Sequence, residues 1–419
     1  MVDRTHTGSL KGIWIICLMT LVQAVVDGQD DPVSRFLAGQ LRAPEVQMAE
    51  EAAGFLATHP PTMSWIDKLE FRTETGNFDW RQQEYLLRLS PSSLRARNRQ
   101  EDLVGVMKDQ YALQTREATH DALVEGYERI LDLAMVDREM AMVQQALDLD
   151  QQHLAVLGQI GQVDGADLKD LMQVEEDRQQ RMSRLNELRL ARQRIERTMM
   201  SSMSPPTIQE LMTYPWITGE QMVEVMSSGM GMISPQVLAA QGKLEAVILE
   251  QQVEKAERQK VLDFVQSRYQ QDPRDPFRED FSISLGLNIP HARAGNVKRQ
   301  ELALEQLEAE QEVTLLQQQT LDRLSALQVD MELLLQQRKM EEEQWESSFL
   351  KKMETGALPG LAAEPLLILE AKKARIKSDL RMLDIEQKMF EGFIRWLDLS
   401  GKISEQPLVN YLHALRPGF

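Results

Sequence analysis

The sequence predicts a mainly α-helical fold with a small β part. Long antiparallel coiled-coil hairpins, each led by a pair of strands, occur twice as an internal tandem repeat. Three observations predict it. Two long stretches, residues 94–157 and 296–352, contain little Gly and no Pro. One segment between them alternates apolar and small polar residues, the period of a strand. Motifs in the first half of the chain recur in the same order in the second.

The alternating segment runs Phe281-Ser-Ile-Ser-Leu-Gly-Leu-Asn-Ile289 and is followed by Pro290. Phe281, Ile283, Leu285, Leu287 and Ile289 share one face; Ser282, Ser284, Gly286 and Asn288 share the other. Such a strand suits a barrel wall between lipid and water, and equally a short core strand. Pro290 cannot donate to a sheet ladder and ends it. Gly295 supplies a permissive turn position, and a helical period begins at Asn296.

The repeat rests on two echoes. Leu86–Ser90 leads through Pro91 and an Arg-containing loop to Arg99-Gln100-Glu101, as the later strand leads through Pro290 to Arg299-Gln300-Glu301. Upstream, Pro44-Glu45-Val46 matches Pro235-Gln236-Val237. The period is roughly 190–200 residues.

Of 419 residues, 65 are Asp or Glu and 47 Lys or Arg, a net charge of −18. That balance argues against nucleic-acid binding, which needs clustered cations for phosphates. Only 5% of residues are aromatic, and Gln, Glu, Leu, Met and Arg abound, as in long helices rather than a sandwich or an α/β enzyme.

In chain order, Arg4 and Lys11 precede an apolar run from Gly12 to Val26 that is shorter than the ~20 residues of a spanning helix. Val22-Gln23-Ala24 offers small residues for a signal peptidase, so residues 1–24 read as a secretory signal, with an uncleaved anchor as the alternative. Cys17, the single cysteine, lies in this run without a lipoprotein box, so the mature chain would hold no disulfide or thiol chemistry. The first repeat spans 25–199. It opens with a helix over roughly 32–58, then a strand over 65–75, a turn at Gly76-Asn77, and a strand over 78–90 whose phase needs a bulge near Gln82-Gln83. A helix follows from Leu94 to Leu157, with Leu123, Tyr127, Ile130 and Ala134 on a coiled-coil seam. At ~1.5 Å per residue it is on the order of 90 Å long. The turn is predicted from Gly158 through Gly161 to Gly165, and the return helix from 166 to 199, with Leu185, Leu188, Ile195 and Met199 on its seam.

Residues 200–233 break the period and read as a connector, or equatorial segment, holding a small helix. The second repeat, 234–400, begins with a helix from Pro235 to about Lys260. Residues 261–269 read either as its extension or as a strand. Asp272–Pro276 is a turn before the alternating strand. A helix over 296–352 carries Leu324, Leu327, Met331 and Leu334 on its seam. Gly356 and Gly360 flank a turn, and a helix over 366–399 places Ile376, Leu380, Leu383, Phe390, Ile394 and Leu397 at heptad spacing. The tail, 401–419, has no assigned element.

An enzyme is the weakest interpretation. The six histidines, His6, His59, His120, His153, His291 and His413, are scattered, and no metal-ligand spacing, nucleophile elbow or phosphate loop appears. His120 and His153 read as exposed helix positions. No cofactor is predicted.

These pieces resemble the TolC-like outer-membrane efflux proteins. The carriers are the strand-to-helix joins at Pro91 and at Leu285–Pro290 with Gly295, the helix openings Pro44-Glu45-Val46 and Pro235-Gln236-Val237, and the Gly-led tips at 161–174 and 356–370. The resemblance covers most of residues 32–400. It implies a homotrimer in which four strands from each protomer close one twelve-stranded β-barrel in outer-membrane lipid, while the helices form an α-barrel tunnel in the periplasm of a Gram-negative bacterium. It implies an outer-membrane channel of a tripartite efflux or type I secretion system, whose tips meet a periplasmic adaptor and an inner-membrane pump. The tip residues are then Gly161, Asp164, Asp167 and Asp170 on one hairpin, and Gly356, Gly360 and Glu364 on the other. Their carboxylates form either an acidic entrance ring or helix N-terminal charges favoured by the dipole. The first strand pair departs from the family pattern, being more charged than a lipid-facing wall.

Independently of the resemblance, two helical hairpins with adjoining strands cannot bury all their seams alone, so oligomerisation is expected. A periplasmic adaptor and a coiled-coil scaffold remain alternatives. An adaptor carries one hairpin between β-rich halves, whereas this chain has two, each led by strands. A scaffold needs neither the strand at 281–289 nor a signal peptide.

Overall fold

The computed structural model of the chain describes residues 32–59, 64–75, 83–164, 168–200, 209–211, 215–229, 234–271, 279–288, 296–354, 365–405 and 408–413. The predicted signal, the turn at Gly76-Asn77, the bulge near Gln82 and the turn at Asp272–Pro276 lie outside them, as do Asp167, Pro290, Gly295, Gly356, Gly360 and Glu364. The chain divides into two compact units.

One unit combines Met48–Arg116 with Pro235–Gln319. It holds strands β1 (Ile66–Thr75), β2 (Gln83–Pro91), β3 (Leu262–Gln271) and β4 (Glu279–Leu287) in one antiparallel sheet of order β1-β2-β3-β4. Residues 261–269, left open between helix and strand, thus form a strand. Val265 and Tyr269 on one face and Phe264 on the other are residues that favour a strand. Each hairpin has a register shift just after the first residue of its leading strand, at Asp67 and at Asp263. The two sites are separated by the same roughly 190–200-residue period as the sequence echoes.

Four helices enter or lie in this unit: α2 (Pro44–Thr58), α3 (Leu94–Asp164), α6 (Pro235–Arg258) and α7 (Asn296–Ser347). They pair side by side. Thr115 Oγ1 of α3 donates to Ala49 O of α2 at 3.2 Å, and Gln110 Nε2 of α3 donates to Gly242 O of α6 at 3.1 Å. Gln251 Nε2 of α6 donates to Leu302 O of α7 at 2.7 Å, and Lys243 of α6 meets Glu312 of α7 at 2.8 Å. Gly242 permits the close pairing, since a Cβ there would lie 3.3 Å from Leu113 Cδ1.

The other unit comprises residues up to Gln47, Glu117–Ser234 and Thr320–Phe419. It holds α1 (Pro32–Gln40), α4 (Leu168–Met199), α5 (Gly219–Ser228), α8 (Phe349–Glu354) and α9 (Pro365–Ser400), with the remaining turns of α3 and α7. Most predicted seam residues are buried in it, while Ile195, Leu324, Leu327, Leu334 and Leu380 are half-buried. Leu123, Tyr127, Ile130 and Ala134 of α3 are buried, as are Leu185, Leu188 and Met199 of α4 and Ile376, Leu383, Phe390, Ile394 and Leu397 of α9. A capping box at Thr218 and Gln221 starts α5, which packs Met222, Val225 and Met226 into the same core. Gly401, at φ 72°, ends α9 in the left-handed conformation. The tail then folds back. Tyr127 Oη donates to Val409 O at 2.8 Å, Ile217 N donates to Leu412 O at 2.9 Å, and Trp216 meets Phe390 edge-on at 5.1 Å.

Several boundaries differ from expectation. The single helix over 32–58 is two, because Pro44 disfavours a helical Ala43 and opens α2. The turn expected from Gly158 is absent: α3 continues through Gly158 and Gly161 to Asp164. A helix glycine costs about 1 kcal/mol, too little to end a helix of 71 residues. The helix expected over 296–352 breaks at Ser348, whose Oγ accepts from Lys351 N at 3.1 Å and caps α8.

Candidate functional site

Two features could carry function: the sheet and the end of the α3–α4 hairpin. In the sheet, side chains sort by face because each register pairs residues of equal phase. Three rows cross one face: Leu69, Leu89, Val265 and Leu285; Phe71, Leu87, Ser267 and Ile283; and Thr73, Tyr85, Tyr269 and Phe281. Tyr85 of the third row stacks on Phe71 of the second, 6.3 Å between ring centres, and lies tilted at 6.3 Å from Tyr269 of its own row. This face is uncovered: Leu69, Phe71, Phe281, Ile283, Leu285 and Leu287 are each 62–67% exposed. Exposure of that extent on contiguous apolar side chains marks a surface that meets an apolar partner or a membrane.

The opposite face is polar and internally paired. Arg268 reaches across to Glu84, and Lys68 and Arg72 hold Glu70 between them. Arg88 stacks its guanidinium 3.7 Å from the Phe264 ring centre and meets Asp263 at 3.6 Å. The charges expected to burden β1 and β2 thus fall on one face and leave the other apolar. Among the described residues no helix is long and apolar enough to cross a membrane, and no cluster of His, Cys, Asp or Glu could hold a metal ion.

At the hairpin end, Gly161 and Asp164 fall in the last turn of α3, and Asp170 is exposed in the first turn of α4. The other predicted tip residues lie outside the described residues. Pro91 closes β2 opposite Ile66, with two residues between it and the start of α3. Nearby, the structure adds a polar cluster that the sequence did not reveal. Asp150 of α3, fully buried, is held by Arg181 of α4 and by Lys373 of α9 at 3.1 Å. Lys373 Nζ also lies 2.5 Å from His153 Nδ1, and His153 Nδ1 lies 3.3 Å from Glu370 Oε1.

His120 and His153, expected on exposed helix positions, are 3% and 7% exposed. His120 Nε2 bonds Asp398 Oδ1 of α9 at 2.8 Å. Both are covered by α9, more than 200 residues downstream, so local periodicity could not reveal their burial. Burial, and next the Lys373 ammonium, hold the His153 imidazolium below its usual range. Farther along α3, burial followed by neighbouring carboxylates raises Glu128 and Asp132.

No protein-family model matches the chain, and no curated protein matches it. Solved structures do. The chain is similar to the channel-forming CusC at 12% identity, over 88% of this chain and 92% of that one, with a TM-score of 0.60. It is similar to the outer-membrane protein VceC of Vibrio cholerae at 11% identity, over 91% and 96%, with a TM-score of 0.59. The open-state MtrE outer-membrane channel of Neisseria gonorrhoeae matches at 12% identity over 88% of each chain, with a TM-score of 0.57. This chain, mostly helical with one four-stranded antiparallel sheet, has the fold of the TolC-like outer-membrane channel proteins.

Proposed function

We propose that the chain is one subunit of an outer-membrane efflux channel. Three copies close their sheets into one twelve-stranded barrel, and their helices form a periplasmic tunnel. The observation that carries this is the sheet: one face apolar and uncovered, the other polar and paired, as a wall between lipid and water requires. Its edge strands, β1 and β4, each leave a row of backbone groups unpaired. Pairing β1 of one copy with β4 of the next satisfies both, and a heterologous contact of this kind closes into a ring. The exposed Leu304, Leu307, Leu315, Leu321, Val329 and Leu333 of α7 are further apolar surface for neighbouring copies to cover. The shared fold supports the same assignment.

In this assignment the chain acts without enzymatic chemistry, as the outer-membrane part of a tripartite efflux or type I secretion system. Gly161, Asp164, Asp167 and Asp170, with Gly356, Gly360 and Glu364, flank the tunnel entrance, where a periplasmic adaptor and an inner-membrane pump engage. Pro91, and Pro290 with Gly295, turn the chain from barrel to tunnel. The test is fractionation followed by mass determination. The protein should stay with outer membranes after a salt wash and, in detergent, have the mass of three chains. Release by salt as a monomer would favour the adaptor or scaffold instead.

A further inference from the structure

The polar cluster on α3, α4 and α9 is assembled around one histidine whose only described partners there are ionic. We propose that His153 is an acid-sensitive clasp: its protonation at Nδ1 releases Lys373 and loosens the start of α9 from α3 and α4. The proposal concerns packing within one compact unit and does not depend on the channel assignment.

Lys373 Nζ, an obligate donor, stands 2.5 Å from His153 Nδ1. That contact therefore requires a neutral ring with its proton on Nε2. Both side chains are close to nine-tenths buried, at 9% and 11% exposure, so water screens little between them. A proton on Nδ1 turns the acceptor into a second cation facing the first. Asp150 cannot accept both. Its Oδ2 is taken by Arg181, and Lys373 approaches its Oδ1 at 3.1 Å without an aligned hydrogen bond. The acceptor left to the imidazolium is Glu370 Oε1, 3.3 Å away, which also lies 3.9 Å from Lys373. Protonated His153 takes Glu370, and Lys373, left with Asp150 Oδ1 alone, faces a second buried cation where it had an acceptor.

The other charged groups around His153 enter the balance. Glu139 from α3, Asp170, Asp177, Arg181 and Arg184 from α4, and Lys377 from α9 line the same groove of about 990 Å³. Glu370, Asp150 and Asp170 favour the imidazolium, but burial and Lys373 oppose it more strongly. The ring therefore takes its proton only at a pH below the ordinary histidine value. A folded-state pKa below the unfolded one means stability that is present above about 6.5 and lost as the pH falls through the lower, folded value. His120 does not confuse the readout, because it contacts Asp398 at the opposite end of α9.

Hydrogen exchange of the full-length protein at pH 7.5 and 5, corrected for the intrinsic rate, tests the clasp. Protection over residues 365–377 should fall on acidification, roughly tenfold for each unit separating the folded midpoint from the ordinary one. In His153→Gln the amide oxygen still accepts from Lys373 and cannot titrate, so protection should be equal at both pH values. Equal losses in the wild-type and Gln proteins, or no loss in the wild type, would overturn the proposal. If the Gln protein does not fold, Glu370→Gln serves. It removes the acceptor for the imidazolium and should move the transition to lower pH; an unmoved transition overturns the proposal.

Discussion

Phe264 lies against Gly286 across the β3–β4 pair: a Cβ at position 286 would come within 2.3 Å of its ring. The glycine thus makes room for an aromatic side chain on the polar face, and Arg88 covers that ring from the other side. The glycine weakens β4 as a strand, and the overlying aromatic restores packing. Gly286→Val should therefore destabilise the folded sheet by about 1–3 kcal/mol, the usual cost of overpacking. Phe264→Ala in the same chain should recover part of that loss. A double-mutant cycle in urea measures the coupling, and additive effects would mean that the two positions do not communicate.

The two faces of β4 should answer oppositely to charge. Ile283 lies on the uncovered apolar face, and its neighbour Ser284 on the polar one. In a barrel, a lipid-facing Arg near mid-membrane costs about 2–4 kcal/mol, whereas a lumen-facing one is tolerated. Ile283→Arg should lower unfolding free energy in lipid vesicles by that amount and Ser284→Arg by well under 1 kcal/mol. Equal effects would contradict a wall that separates lipid from water.

Asp150 is fully buried between Arg181 and Lys373. Removing its charge leaves the nearly buried Lys373 and the partly buried Arg181 without their counter-ion, and breaking a buried pair typically costs about 3–5 kcal/mol. Asp150→Asn should show that loss in denaturant unfolding. Asp150→Asn combined with Lys373→Met should be less destabilised than the single variant, since one stranded charge is gone. A surface pair such as Lys388–Asp384, by contrast, should be worth about 0.5 kcal/mol or less.

Tyr127 ties the C-terminal tail to α3 through a single hydroxyl, which donates to Val409 O and accepts from Tyr411 N at 3.3 Å. Tyr127→Phe keeps the buried ring and removes both bonds. It should cost about 1–3 kcal/mol and raise hydrogen exchange over residues 408–413 while leaving the sheet unchanged. Unaltered exchange in the tail would show that its apolar contacts suffice.

Much of the architecture was legible because it is written in local period. The alternation from Phe281 to Leu287 fixed a strand and its two faces, and the spacing of Leu123, Tyr127, Ile130 and Ala134 marked a helix seam that is buried as expected. What escaped depends on distant partners or on one residue's balance of costs. Gly158 and Gly161 looked like a turn, but two permissive residues do not stop a helix whose other residues favour it. Ser348 broke α7 with no Gly or Pro to announce it. His153 looked exposed because it follows Gln151 and Gln152 and is itself polar. Its cover and its partner, Lys373, come from a helix that begins more than 200 residues later. The tail had no period to read, since Tyr411 and Leu412 are held by Tyr127 and Ile217. The polar cluster at Asp150 is of the same kind. Each member is an ordinary surface residue in the sequence, and only the packing of three helices makes them neighbours.

The central claim is that three copies of this chain complete a water-filled wall through a membrane. Conductance of the purified protein in a planar lipid bilayer tests it most directly. Single trimers should insert as discrete steps of uniform size, with smaller or absent steps for Ile283→Arg. Folded protein that associates with the bilayer and passes no current under any voltage or pH would contradict it.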